Sequence, residues 1–305
     1  MKVAEFSLAD LTDLLRRGEL LLKLGPFVAR LKTDVHTLAR DIALMYADFE
    51  VLSDQTFADF HVEVAREIGV RRWFKPQVRF FFDGRPSFVP LPSAQAFAML
   101  EWGLNWCVAA HCHQYLIIHA AVIEKQGRAF LLPAPPGSGK STLCAALVMR
   151  GWRLLSDELA LYDTKNSLVY GMSRPINLKN MSIDVIKQDA FDAVMTASMP
   201  NTTKGTVALL RPPLSSVLRA SEPARLSWIV LPKYLPDAPA ALLPHSRAQT
   251  FMLIAEQSFN YDILGLAGFD AIGDLVEHSQ CYQFSYSQLD DAERIFEQLL
   301  AGHAV

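Results

Sequence analysis

A lysine and a serine directly behind two closely spaced glycines, with an acid pair a short way downstream, can hold a polyphosphate and the cation that travels with it. The run Ala134-Pro135-Pro136-Gly137-Ser138-Gly139-Lys140-Ser141-Thr142 supplies the first set, and Asp157-Glu158 supplies the second. Glycines let backbone N–H groups close around phosphate oxygens, because no side chain stands between amide and ligand. In such a loop Lys140 places an ammonium on the β- and γ-phosphates, and the Ser141 hydroxyl ligates Mg2+. Position 134 departs from the pattern G-x-x-x-x-G-K-[ST], with Ala where its first Gly would stand, so the loop entrance must accept a methyl group. Adjacent carboxylates suit phosphoryl transfer: one reaches the metal and the other accepts the proton of a hydroxyl nucleophile.

For that chemistry the loop must join a strand to a helix. Ala129 to Leu132 is a short continuous apolar run, as in a strand covered on both faces, and Pro133 to Gly139 break it. Ser141 to Arg150 then carries Leu143, Cys144, Leu147 and Val148 at helical spacing, and Gly151 stands where a left-handed cap residue belongs. Arg153 to Leu161 has the pattern of a further strand, interrupted by Ser156-Asp157-Glu158. Upstream, Leu116 to Ile123 and the turn at 124 to 128 make a strand-turn-strand unit with the loop strand. His119 lies in that apolar run, either as a core histidine or as a group behind the site, and its spacing favours the core. Three basic residues sit in turn-rich segments: Arg174 in SRPINLK, Lys204 in TTKGT and Arg211 before Pro212-Pro213. Each could clamp a phosphate or stand as a surface charge.

The chain has 305 residues, 51% of them hydrophobic and 20% charged, enough for a substantial core in one large or two modest domains. A net charge of −3 excludes a general attraction to nucleic acid or anionic membrane. No apolar run approaches the roughly 18 residues of a membrane span, and charges interrupt the opening residues, which points to the cytoplasm. The four cysteines make no disulfide framework. Cys107, His111, Cys112 and His113 could suggest a metal, but Ala94 to Gln114 repeats Phe97, Leu100, Leu104 and Val108 as a packing helix, with no C-x-x-C partner.

The first ninety residues show no catalytic constellation. A helix is expected over Leu8 to Arg17, a strand over Phe27 to Leu31, and a helix capped by Thr33 or Asp34 and carrying Val35, Leu38, Ile42, Met45 and Phe49. A strand over Phe60 to Val64 follows, then a hairpin from Val78 to Phe82 turned by Asp83-Gly84 into Ser87 to Val89. Arg71, Arg72 and Lys75 around Trp73 form a solvated basic face. Pro90-Leu91-Pro92 marks a boundary between residues 1–92 and residues 93–305. Later segments include a strand over Trp228 to Leu231, a long loop from Pro232 to Pro244, a strand over Cys281 to Ser285 and a helix over Leu289 to Leu300. The expected fold is α/β, with the strand ending at Pro133 central in a mixed sheet and a smaller α+β portion at the N-terminus.

With His119, the APPGSGKS loop and the SDE acids in this order, the chain resembles the HPr kinase/phosphorylase superfamily, whose P-loop core is shared with phosphoenolpyruvate carboxykinase. His119 lies 21 residues before Lys140 and Asp157 lies 17 after it, the separations of that family's histidine, lysine and acid pair. Over LPSAQAFAMLEWGLNWCVAAH, HAAVIEKQGRAFLLPAPPGSGKSTLCAAL, RGWRLLSDELAL, RPINLKN and TTKGTVALLRPP it is similar to the branch called HPr-kinase-related kinase A. The resemblance implies ATP and Mg2+, with transfer to a Ser or Thr hydroxyl of a peptide or small protein, and a PqqD-like peptide chaperone as a partner. It implies Lys140 and Ser141 on the nucleotide and Mg2+, and Asp157 and Glu158 on metal and nucleophile, and it adds weight to His119. The expected site is then Ala134 to Thr142 with Arg174, Lys204 and Arg211 for the nucleotide, Ser141 and Asp157 for the metal, and Asp157, Glu158 and His119 for catalysis. The parent family has aspartate where Glu158 stands, so the base falls on Asp157 or Glu158, and it has an acid in place of Thr142. Its C-terminal phosphorylase signature is not found. A small-molecule kinase and an ATP-sensing protein are the alternatives, and the lack of an N-K-x-D segment favours adenine over guanine.

Overall fold

Alternating burial in the N-terminal strands and nearly continuous burial in the later ones separate the chain into sheets with different surroundings. The computed structural model describes residues 1–52, 57–69 and 74–302. The basic cluster at Arg71, Arg72 and Trp73 lies outside the described residues. In the first sheet, β1 (Leu20–Leu24), β2 (Phe27–Thr33), β3 (Phe60–Arg66), β4 (Gln77–Phe82) and β5 (Arg85–Pro86) follow one another, and β6 (Leu91–Pro92) also pairs with β4. Strands β2 and β3 are parallel, and the other pairs are antiparallel. Helices α1 (Leu8–Arg17) and α2 (His36–Met45) pack with this sheet, and so does α3 (Ala96–His111), which lies on β3 and β4.

Two expectations change here. Neither Thr33 nor Asp34 caps α2, whose N-cap is Val35 without a side-chain bond. The Thr33 hydroxyl instead donates to Val64 O at 2.6 Å, and Asp34 accepts the Arg66 N–H at 3.0 Å, so both pin the start of α2 to β3. The hairpin turn does form at Asp83-Gly84, with φ of +48° and +74°. Its return strand is only Arg85–Pro86, because Pro86 and Pro90 have no N–H to give a ladder.

The second sheet runs in the order β11 (Leu168–Tyr170), β10 (Leu159–Asp163), β7 (Leu116–Lys125), β8 (Arg128–Pro133), β15 (Ala224–Tyr234), β17 (Gln280–Tyr286) and β16 (Ala241–Pro244), with β9 (Arg153–Ser156) also on β7. Strand β8 is therefore central, antiparallel to β7 and parallel to β15. One face carries α4 (Lys140–Met149) and α10 (Leu289–Leu300) over Phe130, Trp228 and Phe284. The other carries α7 (Arg247–Glu256) and α9 (Leu266–Glu277), with the short α8 (Tyr261–Leu264) between them in sequence. Covering on both faces explains why β7 and β8 are almost wholly apolar. The loop expected from Pro232 to Pro244 is corrected: β15 continues to Tyr234 and β16 forms an edge. Proline at 232 is tolerated where the ladder with β8 has already ended at Ile229.

A third sheet, β12 (Ile176–Lys179), β14 (Gly205–Leu210) and β13 (Met199–Thr202), sits with α5 (Met181–Asp189) against α4, and α6 (Leu214–Leu218) lies beside β9. The molecule is thus a mixed α/β protein with several sheets. One apolar core runs from the first sheet through α3 to Ile117 and Leu159 of the second and Val207 and Leu209 of the third. Among the described residues no helix is long and apolar enough to cross a membrane.

Candidate functional site

Between β8 and α4 the chain turns through residues 134–139, and two glycines take left-handed conformations, Gly137 at φ +86° and Gly139 at φ +91°. Neighbouring strands hold this loop from outside. The Tyr286 hydroxyl of β17 donates to Gly139 O at 3.0 Å, and the Tyr234 N–H of β15 donates to Ser138 O at 2.8 Å. Gly139 is the N-cap of α4 and brings no side chain, so the first-turn N–H groups of that helix receive no cap. Ala134, the departure from the glycine pattern, is buried without a left-handed backbone, so its methyl packs and nothing there requires glycine.

The acid pair sits at a break in a strand. Strands β9 and β10 both run antiparallel to β7, with Ser156 opposite Val122 and Leu159 opposite His119 in one register, and Asp157 and Glu158 stand unpaired between them; the register shift lies just before, at Leu155. Ser156 shapes the break, its hydroxyl oxygen accepting the N–H groups of Glu158 at 3.3 Å and Leu159 at 2.9 Å. Asp157 is buried; Oδ2 accepts the Asn177 N–H at 2.9 Å, while Oδ1 has no partner. Glu158 accepts from the Asn177 side chain at 3.3 Å and from the Asn105 side chain at 3.1 Å.

Electrostatics set the two acids apart. Burial pushes Asp157 above the usual carboxylate range, with Lys140 and Ser141 pulling the other way and Glu158 adding to the rise. Burial would raise Glu158 as well, but Lys204, Lys179, Lys140 and His119 outweigh it and hold Glu158 below its ordinary value. Lys140 is itself lowered by burial, against the pull of both acids. His119 pairs opposite Leu159, and its N–H donates to Gln257 O at 2.7 Å. Burial, followed by the charge of Lys140, brings its imidazole down to about 4, so the ring is neutral at pH 7.

Asp157 lies on a small cavity beside Arg174, and in front of it Lys140, His119 and Glu158 border a cleft of about 1130 Å3. Residues 134–142 form its floor, part of α5 one wall, and residues 286–290 the other, with His119, Glu158 and Lys204 also lining it. Arg150, capping the far end of α4, ties both walls together through Asp189 at 2.5 Å and Asp290 at 2.7 Å. Thr142 donates to Ser182 at 2.7 Å across the same wall. Lys204 stands at the tip of the β13–β14 hairpin, 5.0 Å from the centre of the Trp102 ring.

The other two basic residues lie elsewhere. Arg174 is buried behind the acids, paired with Glu101 at 3.3 Å and bonded to Asn105, beside a cavity of about 20 Å3. Arg211 pairs with Asp48 of the N-terminal portion. Both charges are matched within the protein, so neither lines the cleft. Sequence reasoning singles out neither Asn177 nor Asn105, and takes Lys179 only as part of the basic SRPINLK segment. The i, i+2 spacing of Asn177 and Lys179 in β12 is a usable signal, since it puts both on one face of a strand, whereas nothing local marks Asn105.

Comparison with known proteins adds two findings. The family model described as SynChlorMet cassette protein ScmC matches residues 93–173, from the approach to α3 through the glycine loop and the acid pair to the residue before Arg174. Among solved structures, the Hpr(Ser) kinase/phosphatase from Coxiella burnetii is distantly similar: 12% identity, 61% of this chain and 94% of that chain covered, TM-score 0.29. No curated protein matches.

Proposed function

We propose that this chain is an ATP-dependent kinase that moves the γ-phosphoryl group to a hydroxyl of a peptide or small protein. One observation carries the reading: Lys140 Nζ, Asp157 Oδ1, Asn177 Oδ1 and Ser138 Oγ are all buried without a hydrogen-bond partner, around the uncapped N-terminus of α4. Each such atom costs about 1–3 kcal/mol, and more when charged, so their concentration in one place calls for a ligand that supplies the missing partners. A polyphosphate would satisfy Lys140 and the amides, and a divalent cation would satisfy Asp157. The residues therefore fit Mg2+, which Ser141 and Asp157 would hold and which would neutralise phosphate charge when bound.

The two acids then divide the work. Asp157, buried and raised in pKa, gains most from a neighbouring cation, which favours its charged form. Glu158 stays charged beside Lys204 and Lys179 and accepts the proton of the acceptor hydroxyl. Its depressed pKa makes it a weak base, which suffices because phosphoryl transfer through a loose transition state depends more on orientation than on base strength. The cleft exceeds the roughly 300–1,000 Å3 of small-molecule pockets, leaving room for an acceptor segment beside the nucleotide. Four buried free cysteines fit the reducing cytoplasm.

Calorimetric and thermal-shift titrations with Mg-ATP test this reading. Wild type should gain roughly 2.7 kcal/mol at a hundredfold excess over Kd, and Lys140→Ala should lose most of that gain. Asp157→Asn should weaken Mg2+ dependence and nucleotide affinity together, whereas Glu158→Gln should bind Mg-ATP normally and transfer phosphate about 10²–10⁴-fold more slowly. Wild type and Lys140→Ala melting alike with and without Mg-ATP would overturn the proposal.

A further inference from the structure

Three buried polar residues and the half-buried Asn105 lead from the N-terminal portion to Glu158. The Tyr46 hydroxyl, at the end of α2, donates to Glu101 of α3. Arg174 pairs with the other oxygen of Glu101 and also donates to Asn105 Oδ1. Asn105 spends its amide N–H on Glu158 Oε2 at 3.1 Å. Tyr46, Glu101 and Arg174 are 0%, 4% and 8% exposed, so water does not compete for the bonds among these three.

The orientation of Asn105 is fixed from both ends. Arg174 can only donate, so Asn105 must turn its oxygen to Arg174 and its NH2 to Glu158. Arg174 cannot swing away, because leaving Glu101 would strand a buried carboxylate. Helix α3 brings Glu101, Trp102 and Asn105 to the acids, and Trp102 also lies under Lys204. Its place is set by the first sheet: at Gly103 a Cβ would fall 2.1 Å from the Phe80 ring of β4, so helix and sheet are in closest contact two residues from Asn105.

We infer that the N-terminal portion aligns the proposed base, with Asn105 as a positioning residue for Glu158 and Arg174, Glu101 and Tyr46 as the buried chain that fixes it. This rests on the kinase reading of the site for its effect on catalysis, but not for its effect on structure. Asp157 is held by a different contact, the Asn177 N–H, so the chain acts on one acid of the pair. The portion that carries no catalytic residue of its own thereby sets the geometry of one.

The experiment uses the full chain as wild type, Asn105→Ala and Tyr46→Phe. Amide hydrogen exchange is followed by mass spectrometry over residues 156–160, Mg-ATP affinity by calorimetry, and release of phosphate to water or an identified acceptor by rate. In Asn105→Ala, exchange over residues 156–160 should quicken at least tenfold while β7 and β8 keep their protection. Mg-ATP affinity should stay within about twofold of wild type, and phosphate transfer should fall about tenfold or more in kcat with little change in KM. Tyr46→Phe should shift the same segment in the same direction by less, though it lies on another helix and touches neither acid. Unchanged exchange at residues 156–160 in both variants overturns the inference, whatever happens to the rate. A wild-type chain that fails to bind Mg-ATP overturns the kinase reading instead, and the exchange result still decides whether the chain of contacts holds Glu158.

Discussion

Gly137 and Gly139 have equivalent left-handed backbones, yet replacing them with alanine should have unequal consequences. At Gly137 an added Cβ meets nothing within 4 Å, so Gly137→Ala costs only the left-handed conformation, roughly 1–2 kcal/mol. Part of that is returned by the stiffer unfolded chain, about 0.4–1 kcal/mol. At Gly139 the same Cβ would lie 2.6 Å from Tyr286 Oη and 2.9 Å from Tyr234 Cβ. Relief requires Tyr286 to move, losing its hydrogen bond to Gly139 O, worth about 0.5–1.5 kcal/mol, and requires β15 to yield at Tyr234, an overpacking cost of about 1–3 kcal/mol. Gly139→Ala should therefore destabilise the ligand-free protein by roughly 2–4 kcal/mol more than Gly137→Ala, combining those two costs. Urea unfolding of both variants measures the difference. Adding Tyr286→Phe to Gly139→Ala removes the nearest atom, and the double mutant should recover at least about 1 kcal/mol relative to additivity. Equal losses in the two alanine variants, or strict additivity with Tyr286→Phe, would refute the claim that strand ends β15 and β17 shape this loop.

Two further outcomes follow from the charges around the acids. His119 sits at about 4 when folded against an ordinary 6.5, so between those values the unfolded chain takes up a proton that the folded chain refuses, and stability falls as pH drops from 6.5 towards 4. His119→Gln should flatten that decline, seen as a smaller loss of Tm between pH 6.5 and pH 4.5 than in wild type; parallel curves would contradict it. Lys204→Ala removes the largest of the charges that lower Glu158, so the acid limb of the pH–rate profile for phosphate transfer should move to higher pH, with an unmoved limb showing that Lys204 does not act on Glu158.

Local pattern carried much of this architecture. Helices α1 and α10 begin and end where the amphipathic spacing puts them, because each buries one stripe and meets a stop signal, Gly18 in a left-handed cap for α1. The loop strand was equally plain, since a central strand covered on both faces must be apolar throughout. The Pro232 to Pro244 segment misled because proline was weighed without knowing that β15 has lost one neighbour by that point. Arg174 and Arg211 misled for a related reason: their partners, Glu101 and Asp48, are 73 and 163 residues away, and no window along the chain joins them. Asn105 was illegible for the same cause, a polar residue on a packing helix whose purpose appears only when α3 meets the acids.

The interruption between β9 and β10 makes chain length, rather than residue identity, the most exacting requirement in this region. In an uninterrupted strand, neighbours point to opposite sides, so Asp157 and Glu158 could never address one spot. Here both reach Asn177, one through its main chain and the other through its amide. Ser156 stands opposite Val122 and Leu159 opposite His119, so the two acids span the same two places on β7 as Ala121 and Ala120, and inserting a single residue between Ser156 and Leu159 would put β10 one place out of step with β9 and turn its side chains to the other face. Such an insertion would leave both carboxylates in the sequence and destroy their arrangement.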